Sequence, residues 1–324
     1  MRQVLGYAEN YFKKLSVNYY PYTNVIGLTR SLLATGLLLT LFFTPIEYII
    51  TQLTDGTLLN PLLNPVVPIN KYNFFLLLGI EHIGFMKYAA MVVLILVISG
   101  YLPQLTCLLH WWVAVSFMLS SSAIDGGDQI HANLSFLLIP LCLTDPRANH
   151  WFTSENPRKS PLNFVGYFSL WLIKIQMVVI YFHASVGKYG VSEWANGTSI
   201  YYWLYHSVFG MPKYLEGFTY YLLSQGFIVT ALTYGVLVFE MIMAAAIFMS
   251  RKRRNYLLPL AISFHFLIIL YHGIFSFFFS MLAGLIIYLG NPHNNFHFNT
   301  IKKKLGELLG SSRQYLLPEL KFNK

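Results

Sequence analysis

Long, unbroken apolar runs limit what this chain can fold into more than any other feature. Stretches such as Met91–Ser99 and Leu282–Leu289 carry no Asp, Glu, Lys, Arg or His. Only 11% of the 324 residues are charged and 56% are hydrophobic. A soluble domain carries about 25% charged residues, so a soluble globular fold is excluded. An aromatic content of 17% excludes disorder. A transmembrane barrel would show strictly alternating segments of about ten residues, whereas these runs are continuous. The expected fold is therefore an all-α polytopic membrane bundle.

A spanning helix needs about 20 mostly apolar residues. Eight segments qualify, near 24–46, 86–101, 104–122, 129–145, 162–185, 226–250, 255–272 and 274–290. The apolar stretch 72–84 is brief and reads as interfacial or re-entrant. Three units are expected: an interfacial N-terminal arm (1–22), a transmembrane domain (23–292) and a basic tail (293–324). The opening residues, with Arg2, Lys13 and Lys14 among aromatics, read as an amphipathic interfacial helix and not as a secretory signal.

The net charge is +9. In a membrane protein this excess marks the cytoplasmic loops and does not call for a nucleic-acid partner. With both termini cytoplasmic, the arm, the 146–161 loop, the Arg251–Arg254 loop and the tail lie inside. They hold all the Lys and Arg except Arg30, Lys71, Lys87, Lys174, Lys188 and Lys213. The segments 47–85, 123–128 and 186–225 then face outward. Cys107 and Cys142 sit in apolar runs without a CxxC motif, so no thioredoxin-like site is expected. HExxH, GxSxG and GxGD motifs are absent, and with them the protease signatures.

Ionisable residues within spans are costly and mark candidate sites. Asp125, Asp128 and His131 lie within seven residues at the outer start of the fourth span. Asp128 and His131 are three apart and share a helical face. The pair fits a carboxylate-oriented base, or an N-cap at Asp128 with a merely satisfied histidine. One histidine and two aspartates are too few for a metal site. Lys188, at the outer end of the fifth span before Trp194, fits either a partly buried base or a snorkelling anchor. His183 lies five residues deeper. Glu240 sits mid-span and needs a partner, for which Arg30 and His265 are the candidates. His110 and Lys174 carry weaker signals, and His272 reads as solvated.

Taken together, these clusters resemble a known family. The order is an early Arg30, an outer His131 opening a span that closes on Thr144-Asp145, Ala184-x-x-x-Lys188 before Trp194, and Phe264-His265 in a late span. This is similar to the horizontally transferred transmembrane (HTTM) domain, the membrane half of vitamin K-dependent gamma-carboxylases. It is most similar to bacterial members of the sporulation-delaying protein B type. The resemblance covers roughly residues 20–292. Ile130–Asp145 resembles the carboxylase span with an important first histidine, onto which His131 falls. Lys188 falls on the catalytic lysine. Phe264-His265, with Met281-Leu282 downstream, resembles a late span with another functional histidine.

The resemblance implies a bacterial membrane factor that matures a secreted antimicrobial toxin precursor. It implies a small accessory maturation protein as a second partner, and a quinone as the possible cofactor. The site it implies has Lys188, His131, Asp128 and His265 in catalytic roles, with Asp125, Glu240, Arg30, His183 and Trp194 lining the pocket. The carboxylases continue into a large lumenal domain with no counterpart in these residues, so glutamate carboxylation itself is not implied. The competing readings are a quinone-dependent carboxylase-like enzyme and a non-enzymatic peptide exporter or immunity protein. The absence of internal repeats counts against a transporter.

Overall fold

A computed structural model describes residues 19–51, 71–122, 124–153, 160–207 and 209–296. The arm before Tyr19, Arg158, Lys159 and the tail beyond Phe296 lie outside the described residues. Among the described residues nine principal helices follow one another: α1 (Asn24–Phe43), α2 (Ile83–Ser99), α3 (Pro103–Ser120), α4 (Gly126–Leu143), α5 (Asn163–Lys188), α6 (Lys213–Leu223), α7 (Gly226–Ala245), α8 (Arg251–His272) and α9 (Phe275–Tyr288). Every apolar segment expected from the sequence coincides with one of them. Among the described residues five stretches are long and apolar enough to cross a membrane: α1, Ile80–Ser99, α5, Gly226–Phe248 and α8. Helix α9 is apolar but shorter. Among the described residues there is no strand, only one isolated bridge between Tyr101 and Asn149.

Local chemistry sets the helix ends. Helix α1 stops before Pro45, which disfavours helical backbone in the residue before it. Helix α2 ends on Gly100 in the left-handed region (φ +85°), where a side chain would also collide with Trp151 and Asn149. Pro103 then opens α3 at the position where a missing N–H costs nothing. The tight 100–102 turn is held by Leu102 N–H donating to Ala148 O (2.8 Å) and His150 N–H donating to Gly100 O (3.0 Å).

Two boundaries differ from the sequence reading. Arg251–Arg254 form the first turn of α8, not a loop. Cations there oppose the helix dipole, so helix stability does not account for them. The segment 186–225 contains α6, whose Tyr214, Phe218, Tyr220 and Tyr221 are exposed. Its polar and aromatic composition lacks the continuous apolar run by which the spans are read. The 72–84 stretch folds as two short 3-10 turns, Phe74–Leu76 and Ile80–His82.

Helix α4 is central, touching α3, α5 and α9, while α1 lies along α9 and α5 along α7. Small residues permit the close approaches: Gly284 faces Met177 and Leu134, and Gly127 faces the backbone of Phe277. Helix α8 buries only Ala261 and His265, one turn apart. Its Tyr256, Leu260, Phe266 and Leu267 point outward. An apolar exterior of this kind suits lipid and not water.

Loops gather at two ends. At one end Asn24 exchanges hydrogen bonds with Asn295 and Phe296 at 2.8–3.0 Å. Arg147 there reaches Thr23 O (3.4 Å). The other end brings together Thr44, Asp125, Phe209 and the α8–α9 turn.

Candidate functional site

Lys188 is the last residue of α5. A helical side chain leans toward the N-terminus of its own helix, so Lys188 runs back into the bundle and not outward to water. Its Nζ meets both oxygens of Glu240 on α7, at 2.5 and 2.7 Å. The side chains are 23% and 9% exposed. The face of Trp194 lies 5.1 Å from the same Nζ, a cation–π contact. Ser185 donates to Leu237 O (3.0 Å) and fixes the register of the two helices.

A second pair lies beside the first. Tyr181 on α5 and His265 Nε2 on α8 are hydrogen-bonded at 2.9 Å. Both residues are buried, and His265 is within electrostatic reach of Lys188. Buried His265 Nδ1 has no hydrogen-bond partner among the described residues. Phe264 and Phe277 flank its ring at 5.1 and 5.5 Å.

His131 belongs to a different group. Its Nε2 lies 2.8 Å from His110 Nε2, with both rings buried. One nitrogen must donate and the other accept, so the two rings differ in tautomer or charge. Asp128 does not orient His131. Its carboxylate accepts from Asp125 N–H (3.2 Å), while Asp125 Oδ1 accepts from Asp128 N–H (3.0 Å). This reciprocal capping box puts the N-cap at Asp125, three residues before the position expected. Among the described residues no hydrogen bond or ring contact joins Lys188 to His131. Phe277 touches both groups, edging His265 and packing on Gly127, one turn before His131.

The remaining candidates separate in the same way. Arg30 pairs not with Glu240 but with His150 Nδ1 (2.8 Å) and Thr106 Oγ1 (3.0 Å), near the end where the 148–150 segment meets the α2–α3 turn. Alongside, Arg147 and Asp145 form a buried ion pair at 2.7 Å. Desolvation and the two guanidiniums push His150 down to about 2. His183 is exposed on α5. Asp125 lines a separate cavity, with Thr44, Phe209 and the α8–α9 turn. The sequence reading gave His110 little weight and did not consider Tyr181. Only the polarity of His110 within an apolar run could have raised it. Among the described residues no cluster of three or more His, Cys, Asp or Glu could hold a metal ion.

The HTTM domain family matches residues 62–292. Helix α1, with Arg30, lies ahead of that match yet packs on α9 within it. Sporulation-delaying protein SdpB of Bacillus subtilis (strain 168) is 34% identical over 298 residues, covering 92% of this chain and 89% of that protein. The protein YitO of the same strain is 32% identical over 290 residues, covering 88% of this chain and 91% of its own length. No solved structure matches. Matches of this extent, on an all-helical chain with five helices able to cross a membrane, make it a member of the HTTM domain family related to SdpB.

Proposed function

We propose that this chain is a multi-pass protein of the bacterial cell membrane that matures a secreted antimicrobial peptide of the sporulation-delaying type. It acts at the outer face, with Lys188 as general base. In this reading α1–α5 and α7–α9 are eight spans, and both termini are cytoplasmic. The meeting of Asn24 with Asn295 and Phe296 supports a common side for the two ends.

The observation that carries the proposal is the Lys188–Glu240 pair. A buried ion pair is costly to desolvate and adds little stability over an apolar pair. Transfer of one proton from Nζ to Glu240 leaves a neutral amine, the form able to act as a base, and a carboxylic acid to return the proton. Trp194 and the Tyr181–His265 pair enclose this unit. His131, bonded to His110, serves as a separate buried pair and not as the partner of Lys188.

Mass spectrometry of the secreted peptides tests this in strains carrying the wild type, a deletion, Lys188→Ala or Lys188→Arg. An arginine can keep an ion pair with Glu240 but is not deprotonated in proteins. The deletion and both variants are expected to leave the same immature mass, with Lys188→Arg present in the membrane at wild-type level. Unchanged peptide mass from Lys188→Arg refutes the base. Unchanged mass from the deletion, with altered amount or survival, makes the chain an exporter or immunity protein.

The unpartnered His265 Nδ1 favours a second reading, a quinone-dependent carboxylase-like enzyme. Lys188 and His265 offer donors for quinone oxygens, and Phe264, Phe277 and Trp194 offer flat apolar surface, so these residues fit the group. When bound, a quinone would supply redox chemistry. Organic extraction of the purified protein should then yield a stoichiometric quinone, reduced in His265→Phe, and a quinone-free extract from fully active protein sinks this reading.

A further inference from the structure

At the end of the bundle opposite Asn24, a cavity of about 540 Å³ lies between α1, the start of α4 and the α8–α9 turn. Pockets for small ligands fall between about 300 and 1,000 Å³. Leu39, Phe43 and Phe275 form its apolar wall. Its polar groups have one property in common. The Thr40 hydroxyl donates to Gly36 O (3.2 Å). The Ser276 hydroxyl donates to Asp125 Oδ2. His272 Nδ1 lies 2.5 Å from Phe209 O; a carbonyl can only accept, so the ring proton is on Nδ1. Each of these side-chain donors is thus used inside the protein, and what remains on these side chains is acceptor capacity: the Asp125 carboxylate, two hydroxyl oxygens and, in the neutral ring, His272 Nε2. Only the Thr44 hydroxyl is left to turn either way.

We infer that this cavity binds a primary ammonium carried by an apolar peptide segment. An ammonium has three donors and no acceptor, which complements such a lining. A quinone or a lipid phosphate presents acceptors and would leave the lining oxygens opposed by like partners. The rim already seats one ammonium in this way, Lys87 Nζ on Thr44 O at 2.9 Å. Asp125, the N-cap of α4, brings its carboxylate to this cavity beside the apolar wall. Peptide as the occupant rests on the maturation reading above; ammonium recognition rests on the lining alone.

The test uses the full chain in phosphatidylcholine nanodiscs and two probes, Leu-Phe-Leu amide with a free amino terminus and its N-acetyl counterpart. The free amine is expected to bind about tenfold or more tighter, the usual effect of a hydrogen-bonded charge. Asp125→Asn keeps a good N-cap and should abolish that preference. Leu39→Trp fills the cavity and should abolish binding of both probes. Equal affinity of the two probes, no binding of either, an unchanged preference in Asp125→Asn, or displacement by added phosphatidylethanolamine would each overturn the inference. If the amine preference holds while secreted masses do not depend on Lys188, the maturation reading falls and the cavity stands. If the masses depend on Lys188 and the preference is absent, the reverse holds.

Discussion

Arg30, Thr106 and His150 form a buried polar knot that only one protonation state of His150 satisfies. Arg30 donates to Nδ1, so that nitrogen carries a lone pair, and Ser31 Oγ lies 3.4 Å from Nε2. Burial and two guanidiniums hold His150 at about 2, against an ordinary value near 6.5. The unfolded chain therefore binds a proton below about pH 6.5 that the folded chain refuses. The contribution of His150 is complete above that pH and is lost progressively as pH falls from 6.5 toward 2. The thermal midpoint in detergent should fall between pH 7 and pH 5. A His150→Gln variant, less stable at pH 7, should show a flatter pH profile, and an identical slope in both proteins would refute the assignment. The sequence places His150 after Asp145 and names no partner for it. Its role depends on Arg30, 120 residues away.

Among the elements, α5 and α7 are joined by Lys188–Glu240 and by Ser185 donating to Leu237 O. Removing one partner of this part-buried pair leaves an uncompensated charge and is destabilising, whereas replacing both with apolar groups is near neutral. Glu240→Leu alone should therefore lower the melting temperature markedly, and Lys188→Met/Glu240→Leu should recover most of the loss. A double variant no more stable than the single would show that the pair is not coupled. Both residues were prominent in the sequence, since ionisable groups in apolar runs are conspicuous. Their pairing was not, because a sequence gives the depth of a residue along its helix but not which neighbour its face turns toward. Asp128 and His131 illustrate the same limit. Three-residue spacing put them on one face, yet the backbone of Asp125 engages one and His110 the other.

For the molecule as a whole, sidedness is the property to test. Cys107 and Cys142 are buried, so replacing both by alanine gives a background for single-cysteine labelling. A cysteine at exposed Ser224 should react with an impermeant maleimide in intact cells, and one at exposed Lys252 only after permeabilisation. The opposite pattern would invert the topology. The sequence alone determined the class, the eight helical segments and the asymmetry of positive charge. Each of these is a local sum over consecutive residues, compared with the thickness and dielectric of a bilayer. Only the tertiary structure decided that Lys188 meets Glu240, that His131 meets His110, and that Asp125, Ser276 and His272 enclose a cavity lined with acceptors. Those contacts depend on the rotation and register of packed helices, and small residues such as Gly127 and Gly284 set that packing through shape rather than hydropathy.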